Sequence, residues 1–442
     1  MTADSGYGMK EFGKKIELFS DNYIAEKIDG LAFRYYRPEC LCKALDFSFP
    51  WENAGSLCLT VFEDGETVKM YTRGYPESLT DDESVSCLYE SRDGLSFSPV
   101  TVSEIPYHGI EVNNIVKMGM PCHNFAVFLD SNPSCSPDER YKAVGGTFRT
   151  DGLFAYSSPD GIHWRNMAEN QVLTDGSFDS MNMAFWDPAA GVYRCYYRYY
   201  EKDIRAIASS TSDDFVNWSA PVPNRYAGGI REHLYTNAVR PVPGAEHMLI
   251  SFPMRYCPER KIGLTDSFAA SRPGVSDCIL MTSRNGNDWS RPCDGPWISG
   301  GLDKREWTQR NFITAGGIVC RGDSFYIYVE KHYMWDDCGI WVYSVPRYRF
   351  SSLGAGEKQG SFVSGLMRFE TPSFFVNFRT SALGYVRFRI LDEDGHDMAS
   401  SEDLWGNEIS KEVILPQIEG RTGYIRAEMS EAELYAIGSR ML

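Results

Sequence analysis

Five times along this chain a serine is followed three residues later by glycine or a substitute, and six residues later by an aromatic ring. The copies are Ser91-Arg92-Asp93-Gly94 with Phe97, Ser158-Pro159-Asp160-Gly161 with Trp164, Ser212-Asp213-Asp214-Phe215 with Trp218, Ser283-Arg284-Asn285-Gly286 with Trp289, and a weaker Ser344 with Phe350. Self-similarity at a long period constrains the fold before any local reading does. The spacing, roughly 55 to 70 residues, exceeds the ~40 to 50 of propeller repeats with minimal loops, which predicts blades carrying long insertions.

Each full copy sits near paired apolar runs of strand length, such as Leu57 to Phe62 with Val68 to Thr72, Phe125 to Leu129 with Tyr141 to Val144, and Met183 to Trp186 with Tyr193 to Tyr197. Asp64-Gly65, Gly191 and Gly322-Asp323 supply the turns between partners. Two strands, a third ending at the serine and a fourth starting near the aromatic make a four-stranded blade. The fold class predicted is all-β: a five-bladed β-propeller over residues 1–353 with an N-terminal lead-in, its blades near 50–105, 120–172, 180–225, 235–298 and 310–353. After a linker from Gly354 to Gly360, period-two runs at 374–378, 385–390, 412–415 and 424–428, with Asp394-Gly395 as a hairpin turn, predict a C-terminal antiparallel β-sandwich over 354–442. Helix is nearly absent, the best candidate being Ser430 to Leu434.

The serine motif is read as structural. An Asp or Asn two positions after Ser and just before Gly satisfies its own turn's amides, while the aromatic packs that turn on the sheet. It resembles the Asp box of sialidase propellers, one residue shorter before the aromatic.

Composition narrows function. The net charge of −16 argues against a nucleic-acid partner, and 14% aromatic residues with 39 Gly and 22 Pro describe a folded, turn-rich protein. No run approaches the ~18 apolar residues that span a bilayer, and the chain reads as soluble and cytoplasmic, without a membrane partner. The 12 cysteines include no C-x-x-C pair and the 7 histidines no H-E-x-x-H pair, so no metal site is predicted and the thiols are expected to be free. G-x-S-x-G and G-x-x-x-x-G-K-[ST] motifs are absent, which disfavours triad and nucleotide hydrolases.

In a propeller, residues just before each first strand and just after each second strand converge on one mouth. The approaches carry Glu52-Asn53, His123-Asn124, Asp179 to Asn182, Tyr235 to Asn237 and Arg310-Asn311; Asn recurs in every one, either capping the turn or binding sugar hydroxyls. The exits carry Arg73, Arg149, Arg198, Arg255 and, after Glu330, Lys331-His332. These cations either seal the seams between blades or receive an anionic group such as a uronate, sulfate or phosphate. Glycoside hydrolysis needs two carboxyl groups, one to donate a proton and one ionised as nucleophile or base. Glu52, Asp179 and Glu232 are the catalytic candidates, with Glu111 and Asn114 as additional candidates from the connection between the first two blades. Trp51, Tyr235, Trp307 and Trp335 offer stacking faces for sugar rings, Trp51 equally core packing. Arg231, Arg310 and His332 are placed to contact hydroxyls or an acidic substituent.

The five-blade pattern with a sandwich behind it, Trp51-Glu52-Asn53, Phe178-Asp179 and Phe185-Trp186-Asp187 together resemble the glycoside hydrolase superfamily containing families 32, 43, 62 and 68. The resemblance implies Glu52 or Asp179 as nucleophile or base, Glu232 as acid, no cofactor, and an axial calcium ion as an option. The activity expected is exo-acting hydrolysis of oligosaccharides, with an acidic or substituted sugar as one possibility. A phosphorylase resembling family 130 and a non-catalytic carbohydrate-binding propeller are the alternatives.

Overall fold

The computed structural model describes residues 10–76, 81–229, 232–260 and 273–441. Their regular structure is β-strand, broken only by short 3-10 turns. None of their helices is long and apolar enough to cross a membrane. All twelve cysteines are free thiols.

The chain divides into two compact units. The larger comprises Pro38–Trp289 and Gly295–Ser344; the other gathers the N-terminal residues up to Arg37, Ser290–Asp294 and everything from Val345. This differs from a single break at 353/354. The expected lead-in belongs largely with the C-terminal unit, because Ala32–Tyr35 pairs antiparallel with Ser351–Gly354.

Successive antiparallel sheets follow along the larger unit. The first holds Leu57–Asp64, Thr67–Gly74 and Val85–Ser91, flanked by Ser98–Pro99 and Ile115–Met118. The second and third are four-stranded meanders, from Ala126–Leu129 to Arg165–Asn166 and from Met183–Asp187 to Val222–Pro223. The fourth is split into two three-stranded pieces, its second strand interrupted between Ala245–Ser251 and Met254–Cys257. Pro253 lies in that gap and has no amide to continue the ladder. The fifth contains Ile313–Thr314, Ser324–Lys331 and Gly339–Pro346, and its outer strand is Glu39–Asp46, from the opposite end of the chain. That pairing explains why the fifth serine motif is incomplete: the edge a returning strand would take is already occupied.

The four full serine motifs close the same turn. Ser91 Oγ accepts from the Gly94 amide at 2.9 Å, while Asp93 Oδ1 accepts from Leu95 and Ser96. Ser158, Ser212 and Ser283 repeat the first bond at 2.9 Å to residues 161, 215 and 286. The glycine is needed twice over. Its φ is +77° to +85° in three copies, and a Cβ on Gly94 or Gly161 would strike a tyrosine hydroxyl from another sheet. Those hydroxyls donate to the glycine carbonyls: Tyr71 to Gly161 at 3.0 Å, Tyr196 to Gly286 at 2.7 Å and Tyr328 to Gly94 at 2.9 Å. The last joins the fifth sheet to the first. Reciprocal bonds of Gly316 with Leu59 and Val61 join the same two sheets.

In the C-terminal unit, Ser373–Leu391 and Thr422–Gly438 pair along most of their length within an 11-stranded sheet. Phe362, Phe374, Phe388, Ile425 and Leu434 are among its buried core. Ser430 to Leu434, the best helix candidate, is strand. Ala432 and Leu434 are buried and Glu433 between them is not, which is the period of a strand.

Gly161→Ala should destabilise the protein by more than about 2 kcal/mol, since it adds a left-handed backbone penalty to a collision with Tyr71. Gly191→Ala, at φ +68° with no atom near the new Cβ, should cost only about 1 kcal/mol. Urea unfolding of both variants measures the difference, and equal losses would contradict the packing account.

Candidate active site

A cavity of about 350 Å³ opens where residues beside the strand ends of several of these sheets converge. Arg73 and Tyr75 reach it from the first sheet, Asp81 from the following 3-10 turn, and His123, Asn124 and Arg149 from either end of the second sheet's first two strands. Asp179, Ser180 and Met181 precede the third sheet, Tyr235 and Thr236 belong to the fourth, and Arg310 and Tyr333 to the fifth.

The imidazole of His123 organises the charges. Its Nδ1 lies 3.1 Å from Asp81 Oδ1 and its Nε2 lies 3.5 Å from Asp179 Oδ1. Arg73 Nη1 stands 3.1 Å from Nε2. A guanidinium can only donate, so Nε2 accepts from it, while Nδ1 lies near Asp81 without closing a hydrogen bond. Burial, and then Arg73, push the His123 pKa down, which keeps the ring neutral at neutral pH. Burial would raise Asp179, but its contact with His123 and the charges of Arg198 and Arg73 hold it below the ordinary carboxylate value. Asp179 is therefore ionised. Arg198 fixes it by donating to its backbone carbonyl at 2.5 Å and standing 3.8 Å from Oδ2. By this chain of contacts the nearest oxygens of Asp81 and Asp179 are at most about 9 Å apart.

The three carboxylates expected to act together do not share this cavity. Glu52 lines a separate depression with Phe49, Glu83, Tyr107 and His108. It accepts from Tyr89 Oη at 2.5 Å and from the amides of Ser48 and Phe49, and burial raises its pKa to about 7. Glu232 is absent from the cavity lining and receives Arg255 Nη1 at 3.0 Å, while Arg255 also forms a two-pronged pair with Asp277. Of the three, Asp179 alone lines this cavity: Glu52 faces Tyr89 and Glu232 is held in an ion-pair cluster.

The recurrent asparagines spend their amides on the backbone. Asn53 donates to Pro76 O, Asn124 to Gly146 O and Phe178 O, Asn182 to Phe178 O, and Asn237 to Met181 O and Tyr196 O. Several of these bonds link one sheet to the next, so the capping alternative describes their contacts, with Asn124 also lining the cavity. Asn114 accepts from Trp51 Nε1, and Trp51 is buried against Phe49. Glu111 is exposed and lines neither cavity.

Tyr235 presents a ring to the cavity, whereas half-exposed Trp307 donates to Gly301 O away from its lining. His332 sits between Asp337 and Asp303 and Lys331 pairs with Glu306, both outside the lining. Glu330 is buried beneath the cavity region, and Arg231 lies outside the described residues. Sequence reasoning missed Asp81, Tyr75 and Tyr333. Asp81 could have been found: the rule that second-strand exits converge applies to the acidic run Asp81-Asp82-Glu83, some way past Arg73. Among the described residues, the cluster able to hold a metal is Asp392, Asp394 and His396, on a hairpin of the other unit.

No family model matches the chain, and no curated protein matches it. Solved structures that resemble it include β-1,2-mannobiose phosphorylase from Listeria innocua, 13% identical with a TM-score of 0.45 over 72% of this chain and 99% of that one. A family 32 β-fructofuranosidase from Bombyx mori is 11% identical with a TM-score of 0.42 over 92% of this chain and 94% of that one. An exo-β-1,3-galactanase from Phanerochaete chrysosporium, solved with β-1,3-galactotriose, is 11% identical with a TM-score of 0.42 over 90% and 99%.

The raised pKa of Glu52 has a thermodynamic sign. Below about pH 4.5 both folded and unfolded chains hold its proton; as the pH rises towards 7 only the folded chain does, so stability is lost through that window. Glu52→Gln should therefore gain up to about 3 kcal/mol relative to the parent between pH 4.5 and pH 8. Urea titrations at the two pH values read this difference, and a pH-independent gap would show that Glu52 titrates normally.

Proposed function

We propose that the chain is a glycoside hydrolase acting at the ends of oligosaccharides, built as a five-bladed propeller with a C-terminal β-sandwich. The observation that carries the reading is the pair Asp81 and Asp179, two carboxylates lining one cavity on opposite edges of His123. Asp179, ionised and 39% exposed, is the nucleophile or the base for water. Asp81 supplies the proton to the leaving oxygen. Their separation, at most about 9 Å, is within the range that glycosidases of either stereochemical course use. His123 keeps the two acids from meeting and, as a neutral ring, adds no charge of its own. The Tyr235 face supports the apolar side of a sugar, and a cavity of about 350 Å³ suits a chain end.

One observation favours phosphorolysis as a second reading. Arg73, Arg149 and Arg310 line the same cavity and provide the charge that inorganic phosphate would need. Formation of a sugar 1-phosphate only when phosphate is present separates the two.

On an aryl glycoside that the parent cleaves, Asp179→Asn and Asp81→Asn should each lower kcat at least ~100-fold with thermal melting nearly unchanged. Glu52→Gln and Glu232→Gln should stay within about tenfold. Activity surviving in both aspartate variants overturns the assignment.

A further inference from the structure

Arg310 is the cation of this cavity that the proposed chemistry leaves unused. Arg198 anchors Asp179, and Arg149 approaches Asp81 Oδ2 at 3.9 Å. Arg73 is bound by Gly55 O and His123. Arg310 donates from Nη1 to Tyr333 Oη at 3.1 Å and lies against the rings of Tyr235 and Tyr333, at 5.6 and 5.2 Å. Among the described residues no carboxylate lies within 4.0 Å of it, and its buried Nε has no hydrogen-bond partner. The fields of Asp179 and Glu330 reach it without contact.

Glu330 does not neutralise it. That carboxyl is 1% exposed, neither oxygen closes a hydrogen bond, and burial drives its pKa well above the ordinary value despite Arg73 and Arg310. It makes no ion pair with Arg310, which carries its charge regardless. The backbone here is also held away from its relaxed form. Arg310, Phe312, His332 and Met334 all take left-handed φ, between +59° and +66°. Hydrogen bonds from Phe312 N to Glu330 O, His332 N to Asn311 Oδ1 and Met334 N to Ala54 O fix that conformation. Non-glycine residues in this region persist where surrounding contacts over-determine them, and such strain concentrates at ligand clamps.

Resting on the cavity's assignment to sugar chemistry, we propose that Arg310, with the Tyr333 hydroxyl, is the centre of an oxyanion subsite that receives a carboxylate, sulfate or phosphate. A planar guanidinium with unused N–H groups matches two oxygens of such a group at once. The oxyanion is either a substituent of the sugar or free phosphate acting as co-substrate.

Two measurements on the full chain test this. Titration calorimetry with sodium glucuronate, sulfate and phosphate, against uncharged glucose, should give at least tenfold tighter binding of one or more anions, and Arg310→Gln should abolish that preference. Arg310→Lys, which retains the charge without the fork, should restore only part of it and serves as the control for folding. Matched neutral and acidic aryl glycosides, with and without phosphate, then identify the source. A parent preference for acidic glycosides that collapses towards unity in Arg310→Gln places the anion on the sugar; phosphate-dependent sugar 1-phosphate release places it on a co-substrate. Anion binding through Arg310 without any cleavage supports the subsite and sinks the enzyme reading. Cleavage of neutral glycosides with no anion binding, or a preference unchanged in Arg310→Gln, overturns the subsite alone.

Discussion

The larger unit depends on one recurrent hydrogen bond: a tyrosine hydroxyl on one sheet donating to the glycine carbonyl of a serine turn on another. Each donor and each acceptor is buried, so leaving either unmatched would cost about 1–3 kcal/mol. The bond dictates the residues around it. The turn must run left-handed to aim its carbonyl outward, the position must lack a Cβ to admit the hydroxyl, and serine and aspartate must satisfy the amides that the turn exposes. The third copy departs from this. Phe215 adopts φ +68° and is wholly buried against Phe128 and Tyr193, so aromatic packing replaces the hydroxyl contact.

Because these ties fix the sheets side by side, the ends of their inner strands deliver charged groups to one place. There the balance is inverted relative to the whole chain: a protein of net charge −16 gathers Arg73, Arg149 and Arg310 against Asp81 and Asp179. A shared polar cavity lowers the cost of keeping charges of both signs dry only if each is oriented by a neighbour. His123 lies against both aspartates at once, with Arg73 at its Nε2. The ring stands between the two carboxyl groups and keeps them apart.

The sequence was most legible where function depends on period. The serine motif, the paired strand runs and the period-two pattern of the C-terminal unit follow directly from side-chain alternation and turn chemistry. Long-range partnership was not legible. Glu39–Asp46 joins a strand some three hundred residues away in sequence, and no local pattern reports which edge it fills. The same limit explains the site. Arg73, His123, Arg149, Asp179, Tyr235 and Arg310 could be placed near one mouth because each abuts a strand end. Glu52 abuts one too, yet its side chain turns inward to Tyr89, and a one-dimensional reading cannot see that rotation. Asp81 was hidden for the opposite reason: it reaches the cavity from a turn beyond the strand exit.

The pairing of Glu39–Asp46 with Gly339–Pro346 has a consequence for biosynthesis. A ribosome makes the outer strand of the fifth sheet before any of the other sheets, but its neighbour emerges near the close of that unit. The early segment must wait, unpaired, through most of translation, and the fifth sheet can be completed only when the late strand arrives. Its assembly is therefore governed by a contact of very high sequence separation, which places this unit among slow folders whose open edges need shelter until closure.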